Sequence, residues 1–175
     1  MALMEKIKIG ISSCLLGKNV RYDGCHQHDP YITDILGRYF EWAPVCPEVE
    51  CGLGIPREAM HLVGNPANPR LVTISTGIDH TDVIMKWAEK KLRELEKEDL
   101  CGFIFKSKSP SSAIRDVDIY SPSGIPLHKG VGIFGGSFIK RFPLIPAIDD
   151  DRLHNPILSE IFIKKVSAYK KTSGV

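Results

Sequence analysis

Ile7-Lys8-Ile9-Gly10-Ile11-Ser12-Ser13-Cys14-Leu15-Leu16-Gly17 is the stretch on which the fold turns. Its isoleucines alternate with other residues, which predicts a short buried strand over Ile7 to Ser13 that ends in the loop Cys14 to Gly17. Outward from it the same grammar recurs. Trp42 to Val45 predicts a second strand, stopped at Cys46-Pro47-Glu48 because proline cannot extend a ladder. Gly102 to Lys106 predicts a third, giving way to the polar loop Ser107 to Ser112, and Leu144 to Ala147 a last one. Helical patterns lie between them. Asp29-Pro30 opens a short helix to about Tyr39, since Asp caps and Pro fits the first turn. Thr81 to Glu98 carries the strongest helical signal, with Val83, Ile84, Trp87, Ala88, Leu92 and Leu95 in a stripe. Val131 to Phe142 predicts another helix, and Asn155-Pro156 opens a last one to about Tyr169. Met60 to Val63 and Leu71 to Ser75 predict a hairpin. Ala113 to Asp118 reads as a helical turn and Pro122 to Lys129 as turn material. Strands alternating with helices predict an α/β, Rossmann-like, mainly parallel sheet flanked by helices in one domain. Residues 1–150 form its body and residues 151–175 a helical extension of it.

The composition agrees with one folded unit. The 175 residues are 43% hydrophobic and 25% charged, within the usual size of a single domain. Lys plus Arg is 23 and Asp plus Glu is 21, a net charge of +2, which gives no footprint of a dedicated DNA binder. No run of 18 apolar residues exists, so no membrane span is expected. Met1 to Lys6 lacks the pattern of a signal segment, and a cytoplasmic protein is the expectation. Five cysteines (Cys14, Cys25, Cys46, Cys51 and Cys101) make an odd count, which argues against a disulfide framework and gives weight to metal or catalytic use. Buried cysteine as a small hydrophobe is the alternative, and Cys101 before Phe103-Ile104-Phe105 fits it best.

Ligands of open parallel sheets sit outside the carboxyl ends of the strands. Three strand exits carry reactive residues there: Cys14, Cys46 with Glu48, and Ser109 with Ser112. Three chemistries suit such a set. One is a metal centre, although no Cys-x-x-Cys pair exists, and Cys46 and Cys51 flank Pro47 at a poor zinc spacing. A second is a nucleophilic cysteine with a base such as His26, His28, His61 or His80. A third is anion binding by the serine-rich loop. Spacing alone does not choose among them.

The motifs add a resemblance. Ile11-Ser12-Ser13-Cys14-Leu15-Leu16-Gly17, Val20-Arg21-Tyr22-Asp23-Gly24, Pro44-Val45-Cys46-Pro47-Glu48-Val49, Gly52-Leu53 through Pro56-Arg57, and Lys106-Ser107-Lys108-Ser109-Pro110-Ser111 occur in this order. Over roughly residues 7–150 the chain resembles the thiouracil desulfurase family. Its tail from Gly130 to Tyr169 resembles the variant that precedes a second domain in fused relatives acting on tRNA 4-thiouridine. That second domain is expected to be missing here.

The resemblance implies a non-redox enzyme with a [4Fe–4S] cluster on three protein ligands. Its open iron binds the thiocarbonyl sulfur of a thiolated uracil, as free base, nucleotide or tRNA residue. Oxygen replaces sulfur and sulfide leaves. It implies cluster ligands at Cys14 and Cys46, a catalytic carboxylate at Glu48 and a catalytic serine at Ser109. Ser13, Tyr22, Asp23 and Arg57 are candidates for the substrate, against the alternatives that Tyr22 to Gly24 only makes a turn and Arg57 only meets solvent. One departure stands out. The third ligand of the family falls on Ser112, where this chain has no thiol, and Cys51 is the candidate replacement. The alternative reading is a non-catalytic or cluster-less homologue that binds a nucleotide or another metal, such as zinc on Cys14, Cys46 and Cys51.

Overall fold

A computed structural model describes residues 5–174; the N-terminal reading of Met1 to Met4 lies outside them. β1 (Ile7–Ser12) carries Ile9 and Ile11 fully buried. β2 (Phe40–Val45) pairs with it in parallel, Ile7 opposite Phe40 and Ser12 opposite Val45. A one-turn helix, α1 (Pro47–Glu50), follows. β3 (Met60–Val63) and β4 (Arg70–Thr73) form the antiparallel hairpin. α2 (Thr81–Leu95) leads to β5 (Gly102–Phe105), which is buried throughout and lies parallel to β1 on its other side. β6 (Val117–Tyr120) and β7 (Pro126–Gly130) form a second hairpin. The chain ends with α3 (Ile133–Arg141), β8 (Ala147–Asp149), α4 (Asp150–Leu153) and α5 (Pro156–Ser173).

One sheet is parallel throughout, in the order β2-β1-β5-β8. Its faces divide by the two-residue period of a strand. Phe103 and Phe105 of β5 pack against Ala88, Leu92, Phe134 and Phe138 of α2 and α3. Ile104 packs with Ile9, Ile11, Ile32, Phe162 and Val166, so α5 and the turns after Pro30 cover the other face. Burial on both faces is why β5 reads as a continuous apolar run. The second sheet, β4-β3-β6-β7, is mixed and packs Leu62, Leu71, Val117 and Ile119 around Ile84. The result is the α/β architecture with a mainly parallel sheet flanked by helices.

Four local readings change. Residues 113–118 are not a helical turn: Val117 and Ile119 are buried and Asp118 and Tyr120 less so, the alternation of a strand. Residues 126–130 are an edge strand of mostly exposed residues, paired to β6. The 31–39 segment is a wide turn at Tyr31–Ile35 followed by a 3-10 turn at Leu36–Arg38, not a regular helix. The last strand begins at Ala147, after Pro146, where its register on β5 starts. Among the described residues no helix is long and apolar enough to cross a membrane.

Candidate active site

All four parallel strands end on the same edge, and their exits build the site. The Oγ of Ser12, the last residue of β1, accepts the backbone N–H of Lys106 at 2.9 Å, locking the β1 and β5 exits together. Cys14 follows in a 3-10 turn. At the β2 exit Pro47 opens α1, and Cys46 is its N-cap residue. The N–H of Cys46 donates to Glu50 Oε1 at 2.9 Å, and its carbonyl accepts the N–H of Glu50 in the first helical bond. That single turn brings Glu48 back over Cys46, whose Sγ lies 3.6 Å from Glu48 Oε2.

The β5 exit supplies the opposite wall. Ser111, wholly buried, donates its hydroxyl proton to Glu48 Oε1. Ser109 Oγ is 3.0 Å from Ser111 Oγ and accepts the N–H of Ser112 at 3.1 Å. The loop is clamped from behind by α3. The N–H groups of Gly132, Ile133 and Phe134 bond the carbonyls of Ala113, Pro110 and Ser111 at 2.7, 3.2 and 2.7 Å. Glycine is required for this approach: a Cβ on Gly132 would meet Ser112 N at 2.6 Å, and one on Gly135 would meet Ser112 O at 2.2 Å. The α3 amides are thereby taken by protein carbonyls and do not face the cavity.

These walls enclose a cavity of about 380 Å³. Cys14, Cys46, Glu48, Arg57, Ser109 and Ser112 all line it, with Ser13 and Tyr22 at its side. Burial pushes the Cys14 thiol up to about 11, against the opposing pull of Lys106 and Arg21. Burial and then the Glu48 carboxylate push the Cys46 thiol up to about 12. Both sulfurs are thus protonated near neutral pH. Arg57 donates to the carbonyl of Val20 at 2.9 Å and stands 3.9 Å from Glu48 Oε2. Its Nε and that of Arg21 have no hydrogen-bond partner among the described residues. Lys106 and Lys108 also reach the cavity. Lys106 Nζ is held by Asp150 at 3.3 Å, and Asp150 also accepts the N–H of Ser107 at 2.6 Å.

Two candidates lie elsewhere. Asp23 closes a turn, accepting the N–H of Cys25 at 3.0 Å, and is off the cavity wall. Cys51 follows α1, and its thiol donates to the carbonyl of Glu48 at 3.3 Å on the side that packs toward Leu62 and Ile84; it does not line the cavity. Cys25 is exposed and Cys101 is buried against the core beneath α5. Ser111 and Lys106 stand in the motif from Lys106 to Ser111, but the sequence assigns neither a role of its own. Ser111 sits between two hydroxyls that were singled out, and its position at the carboxylate follows only from the loop's curl. Lys106 stands at a strand exit, the same signal that marked Cys14 and Cys46.

The donor set tests the implied cluster. Iron–sulfur clusters are held by cysteine thiolates. The cavity offers two thiols, and at the third position a serine hydroxyl already engaged with Ser111. Among the described residues no group of three or more His, Cys, Asp or Glu side chains is placed to hold a metal ion. The residues present therefore do not complete a three-thiolate site.

An uncharacterized protein of Bacillus subtilis (strain 168), YbbK, is 29% identical over 106 residues, covering 58% of this chain and 70% of that protein. The solved structure of a [4Fe-4S]-dependent thiouracil desulfidase, TudS, superposes with a TM-score of 0.66 at 29% identity, covering 89% of this chain and 97% of that one. The family model of 2-thiouracil desulfurase matches residues 9–150, from the middle of β1 to the start of α4. Its span takes in every strand exit that builds the cavity, and the chain belongs to the 2-thiouracil desulfurase family.

Proposed function

We propose that the chain is a desulfurase that replaces the sulfur of a thiolated uracil with oxygen. The observation that carries this is the Glu48 carboxylate, held in one cavity between the Cys46 thiol and the Ser111–Ser109 hydroxyls. A carboxylate so placed takes a proton from water as the water oxygen adds to the thiocarbonyl carbon. The carbon–sulfur bond then breaks, and the two protons of water end on the departing sulfide. The balance is C=S plus H₂O giving C=O plus H₂S, with no oxidant or reductant. Ser109 orients the ring and relays the proton through Ser111. Arg57 balances the charge of Glu48. In TudS the activity depends on a [4Fe-4S] cluster; such a cluster supplies a soft Lewis acid to sulfur.

The cavity walls favour a nucleotide over a free base. Arg21, Arg57, Lys106 and Lys108 line the cavity of about 380 Å³; the first three stand beside Asp23, Glu48 and Asp150, and Lys108 is in no ion pair among the described residues. That volume exceeds what a lone pyrimidine fills, and Lys108 is a cation left to meet a phosphate. The test measures sulfide release from 4-thiouridine monophosphate, 2-thiouracil and thiolated tRNA, using anaerobically reconstituted wild type and Ser112→Cys. The monophosphate is expected to be the best substrate, and Glu48→Ala to lower its turnover by about 100-fold or more. Better turnover of thiolated tRNA would move the substrate to the macromolecule. No sulfide from any of the three, by either protein, would overturn the reading. The missing third thiol favours one second reading, a nucleotide-binding homologue without turnover, which predicts tight monophosphate binding by both proteins with no sulfide.

A further inference from the structure

In this chain, we infer that the loop from Ser109 to Ala113 is a hydroxyl relay that orients Glu48, and that Ser112 does not serve as a third metal ligand. The inference deepens the proposed function and rests on its placing of the site. The proton of Ser111 Oγ is committed to Glu48 Oε1. A hydroxyl has one proton and two lone pairs, so the contacts of Ser111 with Ser109 and Ser112, at 3.0 and 3.4 Å, must be donated toward Ser111. All three hydroxyls therefore point their protons along one path that ends on the carboxylate. Ser109 is fixed in that sense by the N–H of Ser112, which occupies its acceptor side at 3.1 Å.

For Ser112 to bind iron it must give up that proton and become an alkoxide. It is 4% exposed, and the nearest formal charge along its hydrogen bonds is the negative Glu48. Burial and a neighbouring anion both oppose a second negative charge. Nor can the loop turn to offer another donor. Its carbonyls are tied to three α3 amides, and Gly132 and Gly135 leave no slack at Ser112. The remaining cysteines do not compensate, since Cys51, Cys25 and Cys101 are all off the cavity wall. Two thiols leave too few protein ligands for a cluster whose iron atoms are normally held by cysteine.

The experiment counts iron and acid-labile sulfide per chain after anaerobic reconstitution with ferrous iron and sulfide, followed by desalting. Wild type, Ser112→Ala and Ser112→Cys are compared, each checked for an unchanged circular dichroism spectrum. Wild type and Ser112→Ala are expected to retain below about one iron per chain. Ser112→Cys is expected to retain about four, with broad brown absorbance, the load of one cubane cluster. Wild type holding as much iron as Ser112→Cys would overturn the inference, as would wild type holding iron that Ser112→Ala loses. An empty Ser112→Cys would overturn it too, because position 112 would then not decide occupancy. Failure here is separable from failure of the proposed function. A wild type that binds four irons and releases sulfide sinks only the inference, whereas an iron-loaded Ser112→Cys that releases none sinks only the function.

Discussion

Ser111 is the residue on which the site's geometry converges. Its hydroxyl bonds one oxygen of Glu48, while the other oxygen faces the Cys46 sulfur at 3.6 Å and Arg57 at 3.9 Å. A carboxylate held on both oxygens has one orientation in the cavity. Ser111→Ala frees one of them and leaves Ser109 and Ser112 without a common acceptor. A hydrogen bond to a charged group contributes about 1.5–3 kcal/mol, and in a chain of this length each kcal/mol moves the melting temperature by about 2–4 °C. The variant is expected to melt several degrees lower by calorimetry. Its sulfide release on 4-thiouridine monophosphate is expected to fall by about tenfold or more, chiefly in kcat. Unchanged kcat in a destabilised protein would reduce Ser111 to a packing residue.

At the scale of elements, the contact between α3 and the serine loop decides whether the site exists. Gly135→Ala places a methyl group 2.2 Å from the Ser112 carbonyl oxygen, a backbone atom that cannot rotate away. Overpacking of this kind costs about 1–3 kcal/mol. Separation of helix and loop would also break the three amide–carbonyl bonds. The expected outcome is a folded protein with a lowered melting temperature and monophosphate affinity weakened by tenfold or more, measured by titration calorimetry. Wild-type affinity would show that the loop adjusts without moving its hydroxyls.

This contact also marks the reach of sequence reading. β1 and β5 were legible because Ile9, Ile11, Phe103, Ile104 and Phe105 are buried in the sheet, whereas β2, an edge strand with Glu41 and Pro44 exposed, was legible through Trp42 to Val45 and the stop at Pro47. The convergence of Cys14, Cys46 and Ser109 followed from parallel order alone. Gly132 and Gly135 were not legible, since glycine in a helix reads as weakness and its reason lies in a loop some 20 residues earlier. β6 and β7 were missed for a related reason. Only Val117 and Ile119 are buried in β6, β7 is an exposed edge, and Pro122 to Gly124 dominate the local signal with turn chemistry. The second sheet is assembled by pairing between distant segments, β3 with β6, which no local pattern contains.

For the whole molecule, the stability curve carries the mark of Asp149. It ends β8, is 1% exposed, and accepts the N–H of Ile114 at 3.1 Å on one oxygen. Its other oxygen has no hydrogen-bond partner among the described residues, with Arg115 Nε at 3.6 Å. Burial raises this carboxyl from 3.8 to about 6, despite the Ile114 bond and Arg115. Between those values the native state binds more protons than the unfolded chain, so the free energy of unfolding falls as pH rises. The stabilising contribution is whole below about pH 4 and lost as pH passes 6. At about 1.4 kcal/mol per pH unit it amounts to at most roughly 3 kcal/mol. Asp149→Asn keeps the acceptor for Ile114 and removes the proton. Urea titrations from pH 4 to 7 are expected to show the variant gaining on wild type as pH rises, with the gain complete above about pH 6.5. Parallel curves would show that Asp149 ionises as it would in water.

The clamp behind the serine loop has a consequence for traffic through the cavity. One jaw, made of residues 109–113, is riveted to a helix and moves only if the first turn of α3 unwinds. The other jaw, from Arg21 to Tyr22, is loop, and Tyr22 is 43% exposed. The hydroxyl wall is then the fixed anvil against which a bulky guest must seat.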